Sequence, residues 1–130
     1  MTYQLGVEIS GEFDDVIDRT VAALKEEGFG VLMDLDIQAT LKEKLGVEKS
    51  PYRILGACNP PLANQALDAE PDIGVLLPCN VVVRQLEDGK IRVAFMDPAA
   101  VLQLVNREEI ATLAGEVKAR LQRVRDNLAS

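Results

Sequence analysis

A β-hairpin predicted between residues 79 and 96 constrains the fold more than any other stretch of this sequence. Two β-rich runs, residues 79–86 and 90–96, are separated by Glu87-Asp88-Gly89. An Asp-Gly step between two such runs indicates a tight turn, because glycine readily adopts the positive φ that these turns require. The two strands must therefore pair antiparallel, and the sheet cannot be a purely parallel one.

Two long amphipathic helices are predicted near the ends of the chain. An alternating strand over residues 3–9 precedes a helix that Ser10 is expected to cap and Gly28 to end. Asn106 and Glu109 form a predicted capping box for the final helix. Each helix has a single apolar stripe, so each needs one face of a sheet to cover.

The middle of the chain supplies two more strands, at about residues 29–35 and 52–58. Asp36 is predicted to cap a short helix after the first of these strands, and Gly46 to end it. Asn59 is predicted to cap a short helix after the second strand. A helical turn is also expected at Asp97-Pro98. We therefore predict a single α+β domain over residues 1–130, a two-layer sandwich with a mainly antiparallel sheet and two long helices. If the second sheet face is partly apolar, the short helices or a second subunit must cover it.

Composition and charge narrow the classes of partner. The chain has 130 residues, 48% of them hydrophobic, and a net charge of −7, which disfavours nucleic acid and anionic membranes as partners. Four basic residues of the last helix are expected to form a solvated face: Lys118, Arg120, Arg123 and Arg125. The start of the chain does not resemble a signal peptide, and no apolar run approaches the roughly 20 residues of a membrane span. A cytoplasmic protein with reduced thiols is therefore expected.

Cys58 and Cys79 are the first candidates for a site, and each is followed by an asparagine. The chain has no histidine, so these thiols alone combine nucleophilicity, redox chemistry and soft-metal affinity. Packing as small buried side chains is the competing interpretation. Capping explains Asn59. Asn80 interrupts a β-branched strand, and as a half-buried amide it is predicted either to bind a ligand or to brace a neighbouring turn.

Asp34 and Asp36 could hold a cation or serve as acid and base. Capping also explains Asp36, and exposure to solvent explains Asp34, so no metal site is assigned. Lys42 and Lys44 are expected on the exposed face of the short helix, although either could approach an anionic ligand or a thiol. The absence of histidine excludes a Ser-His-Asp triad, and the glycine-rich nucleotide motifs are missing as well.

The central segment resembles a known protein family. The sequences TLKEKLG, YRILGACNPPLANQALDAEPDIGVLLPCNVVV and VAFMDP are similar to those of a family of small bacterial and archaeal proteins, the domain of unknown function number 302. Its signature, NPxLAxxAL followed by LLPCNVVV, matches Asn59, Pro60, Leu62, Ala63, Ala66, Leu67 and residues 76–83. The resemblance implies a TATA-binding-protein-like β-α-β(4)-α fold, here with short inserted helices, and a homodimer. It implies no reaction, substrate or cofactor, so the cofactor stays unknown.

Three hypotheses of function follow. The first is a non-enzymatic binding or interaction module that forms a homodimer through its sheet or its long helices. The second is a thiol-dependent redox or soft-metal-binding protein that uses Cys58 and Cys79. The third is a small-molecule enzyme with a pocket between the helix after Asn59 and the start of the fourth strand, with Asn80, Asp36 and a lysine as its polar groups.

Overall fold

Five strands and five α-helices make up the described part of the chain, residues 2–130 of a computed structural model. The strands are β1 (Gln4–Ile9), β2 (Gly30–Asp36), β3 (Tyr52–Cys58), β4 (Cys79–Gln85) and β5 (Ile91–Met96). The helices are α1 (Phe13–Glu26), α2 (Ile37–Leu45), α3 (Pro60–Ala69), α4 (Pro98–Val101) and α5 (Glu108–Ala129). Two 3₁₀ helices, Pro71–Leu76 and Leu102–Val105, follow α3 and α4.

The strands form one antiparallel sheet in the order β1-β5-β4-β3-β2. Strands β2 to β5 are a meander, and β1 pairs with β5, so α1 carries the chain from one edge of the sheet to the other. The β4–β5 hairpin is confirmed: Gln85 pairs with Ile91, and Gly89 has a φ of +89°. The predicted two-layer α+β sandwich is confirmed as well.

The main hydrophobic core lies between one face of the sheet and the helices α1 and α5. Alternate residues of the central strands, such as Val81 and Phe95, are fully buried on this face, as the two-residue period of a strand requires. The helices complete it with Val16, Leu24, Leu121, Val124 and Leu128.

A second, smaller hydrophobic cluster lies under α3 and the first 3₁₀ helix. It consists of Ala66, Ile73, Leu102, Ile110 and Ala114. The last two of these residues belong to the first half of α5, whereas Leu121 and Val124 in its second half belong to the main core. Helix α5 therefore contributes to both clusters.

The opposite face of the sheet, which we call the open face, is only partly buried. Its outward positions include Gln4, Gly6, Glu8, Met33, Leu35, Tyr52, Ile54, Gly56, Cys58, Asn80, Val82, Arg84, Arg92, Ala94 and Met96. Strand β2 contains a bulge between Val31 and Met33. Three side chains of this strand are exposed by about half or more: Leu32 by 68%, Met33 by 54% and Leu35 by 49%.

Several predicted helix termini are confirmed. The Asp36 carboxylate accepts a hydrogen bond from the Ala39 backbone N–H at 2.9 Å, and the Asn59 side chain accepts one from Leu62 N–H at 3.3 Å. Gly28 follows α1 with a φ of +86°, and Gly46 ends α2 with a φ of +67°. Local rules for caps and glycine ends thus hold at these four positions.

Two predicted caps are wrong. Ser10 does not cap α1, because Gly11 at a φ of +144° and an extended Glu12 separate it from the first helical turn. Asn106 does not cap α5. It adopts the left-handed conformation, φ 57°, at the end of the second 3₁₀ helix, and the extended Arg107 precedes α5. Asparagine tolerates this conformation better than most residues do.

Truncating Phe95 should test the main core. We expect Phe95→Ala to lower the free energy of unfolding by about 3–5 kcal/mol, because this fully buried ring would leave a cavity. The matched control is Leu104→Ala, which removes a side chain that is 75% exposed and should change stability by about 0.5 kcal/mol or less. Urea unfolding followed by circular dichroism measures both. Equal losses in the two variants would contradict the assigned core.

Candidate functional site

An apolar cleft of about 390 Å³ opens between α3 and the start of β4. It lies where the two hydrophobic clusters meet, since Phe29 and Val117 on its wall belong with the main core, and Ala66 and Leu102 belong to the smaller cluster. Its lining is Phe29, Leu32, Met33, Ala57, Cys58, Asn59, Leu62, Ala63, Ala66, Leu67, Gly74, Leu77, Pro78, Cys79, Leu102, Leu113 and Val117. Among these residues, Asn59 alone has a polar amide, and there is no charged side chain.

The family signature forms one wall of this cleft. Asn59 starts α3 and is itself buried, and from this start the helix presents one apolar stripe to the cleft. The stripe consists of Leu62, Ala63, Ala66 and Leu67, which are spaced as one helix face requires. Leu77 and Pro78, joined by a cis peptide bond, complete the wall next to β4.

Gly56 allows two cleft residues to pack closely over β3. A Cβ atom at this position would lie 2.9 Å from Pro78 Cγ and 3.1 Å from Met33 Cε. Both distances are shorter than normal carbon contacts, so a larger residue would push apart Pro78 and Met33.

Both cysteines line the cleft, but their environments differ. Cys79 pairs with Ala57 on the helix-covered face and is 8% exposed, whereas Cys58 is half-buried. Successive side chains of a strand point to opposite faces of the sheet. Because Ala57 points to the helix-covered face, the side chain of Cys58 points to the open face. Neither forms a disulfide. Burial, and to a smaller degree the neighbouring Cys58, raises the pKa of the Cys79 thiol to about 11, so this thiol is protonated at neutral pH.

Asn80 and Asp36 lie outside the cleft. Asn80 is exposed on the open face and forms no hydrogen bond through its side chain with residues 2–130, so the expectation that it is half-buried and braces a turn is wrong. Asp36 caps α2 and lines a separate, polar depression with Arg53.

Lys42 and Lys44 are exposed on α2, and Lys42 pairs with Glu48 at 3.4 Å.

Asp34 pairs with Arg53, whose Nε donates to its carboxylate at 2.8 Å. This hydrogen bond lowers the pKa of Asp34. Asp34 is exposed to solvent, as expected, and forms this ion pair in addition. Within the described residues, no group of three or more cysteine, aspartate or glutamate side chains could hold a metal ion.

The four basic residues of α5 all form ion pairs. Lys118 contacts the buried Asp97 at 3.0 Å, and Arg123 contacts Glu27 at 2.9 Å. Arg120 pairs with Glu116, and Arg125 with Asp126. These contacts account for the charges within the fold. Of the helices in residues 2–130, none has the length and apolar content to cross a membrane.

The comparisons with known proteins agree on the family. A model of the family described as "Domain of unknown function DUF302" matches residues 5–128. The chain belongs to the DUF302 family. The crystal structure of an uncharacterised conserved DUF302 protein from Bacillus stearothermophilus is similar, with 30% sequence identity over 98% of each chain and a TM-score of 0.90. No curated protein matches the chain. The family is one of unknown function, so membership assigns this DUF302 chain no reaction.

The structure brings together three of the five candidate residues, namely Cys58, Asn59 and Cys79, and separates Asn80 and Asp36 from them. It also adds cleft residues that were not singled out from the sequence, including Leu32 and Leu113. The sequence correctly placed a pocket between α3 and the start of β4. It could not indicate the opposite wall, because that wall comes from β2 and α5, which are distant in sequence.

The difference between the two thiols can be measured. In the variant Cys58→Ser, Cys79 is the remaining thiol. At pH 8 it should react with Ellman's reagent roughly 100-fold or more slowly in the folded chain than in the unfolded chain. The reason is that the thiolate is the reacting form, and in the unfolded chain the thiol has an ordinary pKa and is ionised to a much larger fraction. The rate should rise about tenfold per pH unit towards pH 11. The matched variant Cys79→Ser should react faster because Cys58 is more exposed. Equal rates for folded and unfolded Cys58→Ser would contradict the assigned burial.

Proposed function

We propose that the chain is a non-enzymatic binding module whose cleft accepts an apolar ligand. The observation that carries this proposal is that the family signature, from Asn59 to Cys79, lines a cleft that is open and almost wholly apolar. A contiguous apolar cleft of this size commonly marks a binding site, whereas single exposed apolar side chains are common on protein surfaces.

The lining supports binding over catalysis. Of the described residues around the cleft, none is a carboxylate or a lysine, so there is no general acid or base beside a bound ligand. The Cys79 thiol, with its raised pKa, is a poor nucleophile at neutral pH. The polar groups considered for an enzyme, Asn80 and Asp36, lie elsewhere.

The size of the cleft indicates a small ligand. Its volume of about 390 Å³ is near the lower end of the roughly 300–1,000 Å³ typical of ligand pockets. Affinity would come mainly from burial of apolar surface, at about 25 cal/mol per Å². The ligand class is therefore a compact neutral molecule, or the apolar group of a larger one.

Filling the cleft should weaken the binding of an apolar probe. We expect the neutral fluorophore N-phenyl-1-naphthylamine to bind with micromolar affinity, and Ala63→Phe to weaken this at least tenfold because the new ring occupies the cleft. The readout is probe fluorescence during titration.

The matched control for this experiment is Gln65→Phe, which adds the same ring to an exposed position of α3 outside the cleft. It should bind the probe as the unchanged protein does. If Ala63→Phe folds, by circular dichroism, and still binds with unchanged affinity, the cleft is not the site.

We also propose that the module forms a homodimer through the β2 side of the open face. The observation that favours this is a strip of exposed apolar side chains: Met33 and Leu35 on this face, next to the half-buried Ile54 of β3, with the exposed bulge residue Leu32 beside them. Leu32 and Met33 also line the cleft. A second copy would remove this strip from water, and a two-fold axis would place the same patch of both copies in contact.

A charge placed in this strip should dissociate the dimer. We expect sedimentation velocity at micromolar concentration to give a species of twice the 14.2 kDa chain mass, and Leu35→Glu to shift it to monomer, since two carboxylates would meet in an apolar contact. Leu104→Glu, at a position 75% exposed on the second 3₁₀ helix, is the control and should leave the dimer intact. A monomer in the unchanged protein would rule out this dimer.

The proposed compartment is the cytoplasm. Both cysteines are free thiols, which suits a reducing environment.

A further inference from the structure

A second groove, distinct from the cleft, lies on the open face across β1, β5, β4 and β3. It has a volume of about 440 Å³, and the described residues that line it include two arginines and no carboxylate. In a chain with a net charge of −7, this is a local concentration of positive charge.

The two arginines are direct neighbours on the sheet. Arg84 of β4 pairs with Arg92 of β5, and on its other side it pairs with Tyr52 of β3. Side chains at paired positions lie on the same face with Cβ atoms about 4.5–5.5 Å apart, and like charges there destabilise the sheet. The arrangement therefore needs compensating negative charge.

Among the described residues, compensating groups contact only Arg92 of this pair. Its Nη2 atom donates to the Gln4 side-chain oxygen at 2.9 Å, and its Nη1 atom lies 3.7 Å from a Glu8 carboxylate oxygen. Both partners are on β1. A Cβ atom at Gly6 would lie 2.8 Å from Arg92 Nη2, so the glycine leaves the space that this guanidinium occupies over β1.

Arg84 has no partner within residues 2–130. The residue is half-buried, and its guanidinium forms no hydrogen bond or ion pair with any other residue in that range. Arginine offers five N–H donors in a planar fork that matches the two oxygens of a carboxylate or the oxygens of a phosphate. The guanidinium of this half-buried residue, unpaired within residues 2–130 and beside a second arginine, is thus suited to bind an anion.

We propose that this groove binds a small organic anion, a carboxylate or phosphate that carries an apolar group. The Arg84 guanidinium receives the anionic oxygens, with Arg92 next to it and the amide of Asn80 and the phenol of Tyr52 along the same groove. The apolar group lies on the side chains of Val82, Ala94 and Met96. This site is independent of the proposed apolar cleft and of its ligand.

The test uses four probes with the unchanged protein and two variants. Benzoate and phenyl phosphate carry both the charge and the ring, benzamide lacks the charge, and inorganic phosphate lacks the ring. We expect ¹⁵N-resolved NMR titrations to show shifts at β4 and β5 with benzoate or phenyl phosphate, at least tenfold weaker binding of benzamide and of inorganic phosphate, and weaker binding as salt is raised. The arm that binds more tightly distinguishes a carboxylate ligand from a phosphate ligand.

The variants localise the effect. Arg84→Gln should weaken binding of the charged probes at least tenfold, because a charge-assisted, two-point contact is lost. Arg125→Gln, which removes an arginine paired with Asp126 on α5, should bind as the unchanged protein does. The proposal would be overturned if Arg84→Gln bound the charged probes as tightly as the unchanged protein does, or if benzamide bound as tightly as benzoate. An absence of shifts at β4 and β5 with 10 mM benzoate or phenyl phosphate would also overturn it.

A second copy of the chain is the competing source of negative charge at Arg84. If Arg84→Gln changed the sedimentation of the protein at micromolar concentration, the partner of Arg84 would be a side chain of that copy, and the small-anion site would be rejected. Shifts confined to α3 and the cleft residues would also reject this site while leaving the apolar cleft in place.

Discussion

The packing of one helix, α5, on two hydrophobic clusters determines most of this structure. Its second half, with Leu121 and Val124, closes the main core against the sheet, and its first half, with Ile110 and Ala114, closes the smaller cluster under α3. At 22 residues the helix is roughly 33 Å long, enough to span both. The cleft forms at the junction because α5 fixes α3 beside the sheet, while the side chains between them leave space.

The two faces of the sheet consequently have different roles. On the helix-covered face, residues such as Val83 and Val93 are wholly buried, so a change in their volume would disturb the close packing of the core. On the open face, Arg84 and Arg92 stand beside Val82 and Ala94, so charge and apolar surface alternate. Exposed apolar patches and partly buried charges without partners are both unfavourable in free energy. The open face is therefore the surface where a ligand or a second protein would stabilise the fold most.

The sequence predicted those features that depend on neighbours along the chain. The hairpin at Asp88-Gly89 and the caps at Asp36 and Asn59 are set by a few consecutive residues, and all three were predicted. The predicted cap of α1 at Ser10 is wrong because the backbone turns at Gly11, before the helix begins. The cleft could be placed beside α3, but its far wall comes from β2 and α5. Residues that meet only after the sheet and helices pack leave no pattern in a single sequence.

The bulge in β2 has a consequence for assembly. It takes Leu32 out of the ladder with β3 on the strand that forms one edge of the sheet. Asp34 and Asp36 add charge to the same strand. A bulged, charged edge is a poor template for a strand from another molecule. A strand from another molecule would therefore find few continuous hydrogen-bonding positions along β2, which disfavours extension of the sheet and fibril growth at this edge.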